Sequence, residues 1–306
     1  MWPFRSTSSR ENQGEIAIEV GPHHLALAHI SEPPQPKILS CRFDEVSDTK
    51  QIELKLKSWV DELDLHDANC NLVLSGDQYQ LVQLESPGVP ADELKSAVRW
   101  RLKDILKCPV DQAAIDLFQL PADAYRGRTQ VVFVAAIEKA LMQSLQSMIQ
   151  RCGLQLQCID IAEMAVRNIV KYSIKEQHSV GCVFFNEQAG FINFINNQFL
   201  YFTRRLSHNL STLKNPNNNQ IDKLILELQR SLDYFESQMG KGGVRDLFLT
   251  PLVDVSADFI PHLNENLAPN VQLLPLNHVF DSDLDNNMQA GCVNALGGAL
   301  RTRLGS

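Results

Sequence analysis

The sequence contains the same strand-turn-strand unit twice, and this repeat constrains the fold more than any other feature. The second copy, residues 180–204, reads VGCVFFNEQAGFINFINNQFLYFTR and predicts two strands around a tight turn, followed by a third strand. The first copy, residues 15–30, reads EIAIEVGPHHLALAHI, with an acid-Val-Gly turn between two apolar strands. The copies begin about 165 residues apart and each precedes helical segments, which predicts two related halves.

Hydrophobic periodicity predicts strands and helices that alternate along the rest of the chain. Apolar residues recur at helical spacing over residues 51–63, 91–106, 139–152 and 221–239, and short apolar runs between these segments predict strands. The Asn-rich stretch 210–220 predicts a polar loop before the last of these helices. This alternation is typical of an α/β fold.

The order of the predicted elements indicates two lobes and one inserted subdomain. No low-complexity segment or linker separates the parts, so we expect the lobes to interleave. The predicted parts are a flexible N-terminal arm (1–14), a first lobe (15–76, 158–179 and 287–303), an inserted α/β subdomain (77–157) and a second lobe (180–286).

Composition excludes several classes of function. The formal net charge of −8 disfavours a general nucleic-acid binder, which normally carries a basic face. No run approaches the roughly 18 apolar residues of a membrane helix, and the N-terminal residues do not resemble a signal peptide, so we expect a cytoplasmic protein. The seven scattered cysteines form no CxxC pair and are predicted to be free thiols, and no Cys or His pair has zinc-ligand spacing.

Four segments of the chain match a known family in the same order. They are SAVRWRLKDILKCPVDQAAIDLFQL (96–120), CGLQLQCIDIAEMAVRN (152–168), LELQRSLDYFESQ (226–238) and ALGGALR (295–301). With these segments the chain resembles the PilM-like actin-fold proteins of type IV pilus assembly, relatives of the division protein FtsA. Within that family it is most similar to the branch that serves the mannose-sensitive haemagglutinin (MSHA) pilus.

The resemblance implies a fold, a cofactor and a partner. The implied fold is α/β, a two-lobed actin-like ATPase (ribonuclease H-like) fold with the 1C subdomain of FtsA and PilM, which would fall at residues 77–157. In such proteins ATP lies between the lobes. A groove beside 1C receives the N-terminal peptide of a PilN-like inner-membrane protein, which would be MshJ-like in the MSHA branch. The protein would then lie in the cytoplasm at the inner face of the inner membrane, among other pilus platform proteins.

Nucleotide binding in this superfamily depends on two D-x-G turns, in which glycine lets backbone amides approach phosphate and the acid coordinates Mg²⁺. In the first turn the acid and glycine correspond to Glu19 and Gly21, but Pro22 lacks an N–H, and Pro22, His23 and His24 replace small hydroxyl residues. Glu19 could still hold a magnesium ion weakly.

The second turn reads Asn186, Glu187 and Gln188, so its glycine is absent and its acid position is neutral. The third device of the superfamily is a Gly-rich turn that packs against adenosine. At the corresponding place, 247–254, the chain has Thr250 and Pro251 and no glycine. Losing two or three phosphate hydrogen bonds, each worth about 1.5–3 kcal/mol, would weaken micromolar binding to millimolar.

These departures predict a degenerate nucleotide site with no catalytic residue, and a scaffold rather than an ATPase. The predicted partner groove lies on the helix 91–106, with apolar contacts from Leu102, Ile105 and Leu106 and charges from Arg101 and Lys103. Plain core packing is the alternative interpretation of the apolar residues. The alternative function is an ATP-binding switch that regulates assembly of the pilus platform.

Overall fold

The computed structural model describes residues 2–3, 14–33, 35–121, 123–124, 130–174, 178–214 and 216–301. Residues 4–13 of the predicted arm and residues 302–303 of the predicted first lobe lie outside these ranges.

The described residues form strands and helices in alternation. The strands are β1 (Trp2–Pro3), β2 (Glu15–Val20), β3 (His24–Ile30), β4 (Ile38–Glu45), β5 (Asn69–Leu74), β6 (Gln80–Glu85), β7 (Ala113–Gln119), β8 (Val131–Glu138), β9 (Gln155–Ile161), β10 (Val180–Phe185), β11 (Gly190–Asn196), β12 (Phe199–Leu206), β13 (Asp246–Leu249) and β14 (Asn270–Leu273). The helices are α1 (Thr49–Glu62), α2 (Ala91–Arg101), α3 (Lys139–Arg151), α4 (Ala162–Ser173), α5 (Leu210–Lys214), α6 (Asn218–Met239), α7 (Phe259–Asn266), α8 (Leu276–Phe280) and α9 (Asn286–Ala299).

Two of the three sheets share one topology. In the first sheet, β3 pairs antiparallel with β2 and β4, and β2, β5 and β9 pair in parallel. In the second sheet, β11 pairs antiparallel with β10 and β12, and β10, β13 and β14 pair in parallel. The orders β4-β3-β2-β5-β9 and β12-β11-β10-β13-β14 therefore correspond strand for strand, and the prediction of two related halves is confirmed.

The third sheet has the order β6-β8-β7 and is antiparallel. Side chains alternate between its two faces along each strand, and both faces are apolar. One face packs on α2 through Ala113, Ile115, Val132, Val134 and Ala136. The other face belongs to the cores of the two larger sheets through Ala114, Phe133, Ala135 and Ile137. This sheet thus lies between α2 and the rest of the molecule.

Helix α9 packs unusually close to its neighbours because it carries two adjacent glycines. A Cβ on Gly297 would lie 2.2 Å from the Ala165 carbonyl oxygen of α4, and a Cβ on Gly298 would lie 2.4 Å from Val73 of β5. The amides of Asn168 and Asn71 donate to the carbonyls of Gly297 and Gly298 at 2.9 and 3.0 Å. The two glycines of the closing ALGGALR segment therefore allow the end of α9 to pack closely against α4 and the first sheet.

The predicted helix 91–106 is wrong at its C-terminal end, because α2 ends at Arg101. Leu102, the C-cap, is fully buried, and the chain then makes a separate turn in which the Leu106 N–H donates to the Leu102 carbonyl at 3.1 Å. The Lys107 N–H donates to the Gln80 side chain at 2.6 Å, so an interaction with β6 replaces a helical hydrogen bond.

The predicted loop 210–220 is also wrong, since it contains α5 and the first turn of α6. The N–H of Thr212 donates to the Asn209 side chain at 3.1 Å, and Leu213 is fully buried, which together order α5. Asn217 and Gln220 form a capping box at the start of α6, with both hydrogen bonds at 2.9 Å.

The division into lobes and an inserted subdomain stays a prediction. Strand β9 spans residues 155–161 and pairs with β5 along its length, so it crosses the predicted boundary at residue 157. In the predicted arm, the backbone of Trp2–Pro3 pairs antiparallel with β9.

Candidate functional site

The first turn, between β2 and β3, has its acid buried and bound to other residues of the chain. The Gly21 N–H donates to the His24 carbonyl at 2.9 Å and closes the turn. Glu19 is 3% exposed, and its Oε1 accepts a hydrogen bond from the Asn294 amide of α9 at 2.8 Å. The same oxygen lies 3.3 Å from His24 Nε2. Glu19 is therefore already satisfied by its own chain.

The His24 ring lies directly over Gly21. A Cβ on Gly21 would lie 2.1 Å from the nearest atom of this ring, so the ring fills the space through which a ligand would approach the glycine backbone. Burial lowers the pKa of His24, but Glu19, Asp77 and Glu45 raise it, and the net pKa is raised. His23, named in the sequence prediction, is exposed instead, because neighbouring residues at a strand start point in different directions.

The second turn, between β10 and β11, satisfies its own backbone amides. Asn186 Oδ1 accepts hydrogen bonds from the N–H groups of Gln188 and Ala189 at 3.0 and 2.8 Å, and the Asn186 N–H donates to the Ala189 carbonyl at 2.9 Å. Asparagine commonly forms such side-chain turns. A phosphate could use these two amides only by displacing the Asn186 side chain.

Lys214 of α5 connects the second turn to the third segment. Its Nζ lies 2.9 Å from Glu187 Oε1 and 3.7 Å from Asp254 Oδ2. The hydrogen bond to Glu187, with the charges of Glu187, Asp254 and Glu45, raises the pKa of Lys214. Glu45, which pairs with His24 across β3 and β4, also raises the pKa of His24.

The third segment begins within β13 and is buried as far as Pro251, whereas Asp254 at its end is exposed. The Thr250 N–H donates to the Val183 carbonyl of β10 at 3.0 Å, and Pro251 is buried beside it. The first sheet also contacts the second turn, since a Cβ on Gly76, just after β5, would lie 3.0 Å from the Ala189 Cβ. Arg205 of β12 donates to the Gly76 carbonyl. The structure therefore brings the three predicted segments to one region.

Several buried polar atoms in this region have no hydrogen-bond partner among the described residues. They are Ser75 Oγ, Gln188 Oε1, Thr250 Oγ1 and Asn294 Oδ1. Buried polar atoms are usually paired, so all four atoms could accept a hydrogen bond from a water molecule or a ligand, and the two hydroxyls could also donate one. Sequence reasoning did not identify Ser75 or Asn294.

A cavity of about 380 Å³ lies beside the third segment, a volume within the range of small-molecule sites. It is lined by Leu213, Pro216, Ile221, Asp222, Val255, Ser256, Asp258, Phe259 and His262. Apolar side chains with two carboxylates could hold a nucleoside-sized ligand, but the lining contains no Lys or Arg for a phosphate.

Two further buried networks stabilise the region. The Tyr79 hydroxyl donates to Glu163 Oε2, and burial, followed by the negative charge of its partner Glu163, raises the pKa of Tyr79. Asp160 accepts from Arg301 at 3.0 Å, with Asp160 only 1% exposed. No three His, Cys, Asp or Glu side chains in the described part of the chain cluster so that they could hold a metal ion. Glu19 as a weak magnesium ligand stays a prediction.

The predicted groove residues have different environments. Arg101, Lys103 and Ile105 are exposed, whereas Leu106 is half-buried. Leu102 is fully buried in the core between α2 and the third sheet, so it offers no surface to a partner. The sequence prediction did not include Trp100, which is 80% exposed.

Comparison with known proteins shows the fold. No protein-family model matches the sequence, and no curated protein matches it. A chain of a PilM–PilN type IV pilus biogenesis complex superposes with a TM-score of 0.75 and 16% identity, covering 94% of this chain and 97% of that chain. A Bacteroides thetaiotaomicron protein of actin-like ATPase fold and unknown function gives a TM-score of 0.56 at 11% identity, covering 86% and 91%.

This protein has an actin-like ATPase fold. The α/β fold class predicted from the sequence is thereby confirmed. The cytoplasmic domain of EpsL, an inner-membrane component of the type II secretion system of Vibrio cholerae, is also similar, with a TM-score of 0.51 and 11% identity over 79% of this chain and 84% of that chain. In the actin-like fold, the hairpin turns after β2 and β10 are equivalent positions of the two halves.

Proposed function

We propose that this protein is a cytoplasmic actin-like scaffold of the inner-membrane assembly platform of a type IV pilus. The observation that carries the proposal is the likeness along nearly the whole chain to a component of a PilM–PilN complex, at a TM-score of 0.75. None of the helices in the described part of the chain combines the length and apolar content that a membrane crossing needs. Within the proposal, contacts with partners of the platform help to hold the protein at the inner face of the membrane.

Within this proposal, the protein serves an MSHA-like pilus as an MshI-like member of the PilM group. Its partner would be the N-terminal cytoplasmic peptide of a PilN-like, MshJ-like inner-membrane protein. The sequence segments at 96–120, 152–168, 226–238 and 295–301 resemble the PilM-like family to which that branch belongs. The exposed Ile105, flanked by Arg101 and Lys103, is the candidate contact residue on the inserted subdomain.

Binding of that peptide tests the scaffold directly. The synthetic N-terminal peptide of the PilN-like protein from the same organism is titrated into the full chain by calorimetry, with a scrambled peptide as the control. We expect binding to the native peptide, and weaker binding by at least tenfold for Ile105→Asp. Leu226→Asp is a matched control, because both side chains are 43% exposed and Leu226 lies on α6. Equal binding of both peptides, or none, would contradict the proposal.

The proposed scaffold binds ATP weakly or not at all and does not hydrolyse it. This part is supported by the His24 ring over Gly21 and by the two second-turn amides that donate to Asn186. A second candidate function is an ATP-binding switch that regulates platform assembly. The cavity of about 380 Å³ and the unpaired buried atoms at Ser75 and Thr250 favour this alternative.

Calorimetric titration with Mg-ATP separates the two functions. We expect dissociation constants near or above the millimolar range for the native chain, because an incoming phosphate must displace internal hydrogen bonds. Tight binding in the micromolar range would establish the switch and reject the degenerate site. Repeating the peptide titration in saturating Mg-ATP then shows whether nucleotide changes partner affinity, as a switch requires.

A further inference from the structure

Helix α2 forms the outermost layer of the molecule on the side of the third sheet. Its Leu94 and Val98 pack on that sheet, whose other face is already covered by the two larger cores. Trp100 lies two residues after Val98, which places it about 200° around the helix and so on the outer side. Trp100 is 80% exposed, and Ile105 in the following turn is 43% exposed.

The residues around Trp100 carry positive charge that the structure does not neutralise. Residues 99–107, RWRLKDILK, contain four cations and one acid, a net charge of +3 in a protein whose total is −8. Arg99 donates to the carbonyls of Val110 and Ala113, and Arg101 donates to the carbonyl of Glu85. Carbonyl groups are neutral, so these bonds hold the guanidinium groups without cancelling their charge.

Lys103 and Lys107 are exposed, and neither forms an ion pair with any described residue. The acids closest in sequence are Asp104 within the segment, Asp111 four residues after it and Glu93 six residues before it. Glu85, whose carbonyl accepts from Arg101, lies nearby on β6. We name this surface the basic tip and define it by Arg99, Trp100, Arg101, Lys103, Ile105 and Lys107.

We propose that the basic tip docks on an anionic lipid surface. Tryptophan favours the membrane–water interface because its ring is apolar and its indole N–H is polar, and lysine stems extend their charge to headgroups. Each nearby cation is attracted to the negative surface potential, while the net negative charge of the whole protein is repelled. The charge distribution would therefore orient the molecule with α2 toward the membrane.

The position of Trp100 favours contact with lipid at this residue, whereas the candidate peptide contact is Ile105 in the following turn. Trp100 projects from the outer side of a helix whose apolar face is already used on the sheet, so it offers a protruding side chain. A peptide strand requires a groove or an open sheet edge, whereas a bilayer accepts a protruding aromatic residue in its interface. The lipid docking does not depend on the proposed pilus partner.

Flotation of the purified full chain with vesicles tests the proposal. Vesicles of phosphatidylcholine alone are compared with vesicles that also contain phosphatidylglycerol, at low and at high salt. We expect the protein to float with the anionic vesicles at low salt and to remain unbound at high salt or with neutral vesicles. Lys103→Glu with Lys107→Glu should reduce the partition coefficient at least tenfold, since each cation contributes about fivefold.

Variants of exposed residues elsewhere provide the controls. Trp100→Ala should lower binding severalfold, whereas Phe199→Ala, an aromatic residue 59% exposed on β12, should leave it unchanged. Lys57→Glu with Lys223→Glu makes the same charge change at exposed sites on α1 and α6. The proposal would be overturned if the two charge-reversal variants lowered vesicle binding equally. It would also be overturned if Trp100→Ala did not lower vesicle binding. Absence of flotation with anionic vesicles would overturn it as well.

Trp100 fluorescence gives a second measurement. The Trp2→Phe substitution leaves two tryptophans in the chain. Trp59 is 5% exposed and Trp100 is 80% exposed, so a change in emission on vesicle binding reports Trp100. Anionic vesicles should shift its emission to shorter wavelength, and neutral vesicles should not. If Trp100→Ala instead abolishes binding of the PilN-like peptide while vesicles never shift the emission, the tip belongs to a protein partner and the lipid proposal is wrong.

Discussion

At the scale of single residues, the sequence identified where the turns are but not what their side chains do. Glu19 and Gly21 correspond to the acid and glycine of the first turn, but Glu19 is bound by Asn294 at 2.8 Å and lies 3.3 Å from His24. The sequence showed two adjacent histidines with no indication of which one is buried. Only the packing of β3 under α9 decides that His24, and not His23, turns inward.

His24 should make stability depend on pH. Its folded pKa is raised above 6.5 because Glu19, Asp77 and Glu45 together outweigh the effect of burial. Its charge therefore stabilises the folded state fully below pH 6.5, and this contribution is lost as pH rises through the folded pKa. His24→Gln should lower the free energy of unfolding by about 1 kcal/mol on the acid side, with a smaller difference at high pH.

Urea denaturation at a series of pH values measures this effect. The difference in unfolding free energy between the native chain and His24→Gln should decrease across the titration. His23→Gln is the matched control, because His23 is exposed and its replacement should leave the pH profile unchanged. A constant difference at every pH would show that His24 contributes by packing alone.

At the scale of elements, close packing of α9 depends on glycine. Gly297→Ala places a Cβ 2.2 Å from the Ala165 carbonyl oxygen, a backbone atom that moves only with α4. We expect the overpacking to cost about 3 kcal/mol, of which alanine regains roughly 1 kcal/mol through its higher helix propensity. The net loss of unfolding free energy should therefore be about 2 kcal/mol.

Thermal unfolding of a matched pair checks this prediction. Gly88→Ala adds the same methyl group in the turn before α2, where no atom lies within 4 Å, so its midpoint should stay close to that of the native chain. If Gly297→Ala and the native chain unfolded at the same temperature, α4 and α9 would be able to move apart with no loss of unfolding free energy, and the prediction would be wrong.

Most elements were predictable because their signals are local. The paired hairpins, the helix that ends at Gly153 and the long helix that ends at Gly240 all follow from periodicity and glycine position, and Gly240 adopts φ +64 at the C-cap of α6. Both errors came from tertiary contacts. Gln80 takes the Lys107 N–H after α2, and burial of Leu213 orders α5 within a polar stretch.

The sequence predicts those features of the candidate site that follow from residue type alone. Missing glycines and the Pro22 substitution can be seen in a sequence, because an absent N–H needs no structure to recognise. The partners of Lys214 cannot be seen there, because Glu187 and Asp254 lie 27 residues before it and 40 residues after it. Burial of Leu102 and exposure of Trp100 likewise depend on which side of α2 meets the third sheet.

At the scale of the whole molecule, the two halves share a core. One continuous apolar cluster contains Ile18 and Leu72 of the first sheet, Phe184 and Phe191 of the second sheet, and Ile137 of the third. Polar contacts add to it, since the Asn193 amide of β11 donates to the Glu163 carbonyl of α4 at 2.8 Å. Unfolding one half alone would therefore expose apolar surface of the other.

This shared core predicts a single cooperative unfolding transition, although many chains with two lobes unfold in steps. Far-ultraviolet circular dichroism follows all three sheets. In a Trp2→Phe, Trp100→Phe background, fluorescence reports Trp59, which is buried in α1 on the first sheet. The two urea curves should coincide, with equal midpoints and slopes. Earlier loss of either signal would show that the halves unfold independently. In that case the hydrogen bond from Arg205 to the Gly76 carbonyl would join two separately stable halves, and the halves could move apart without loss of either core.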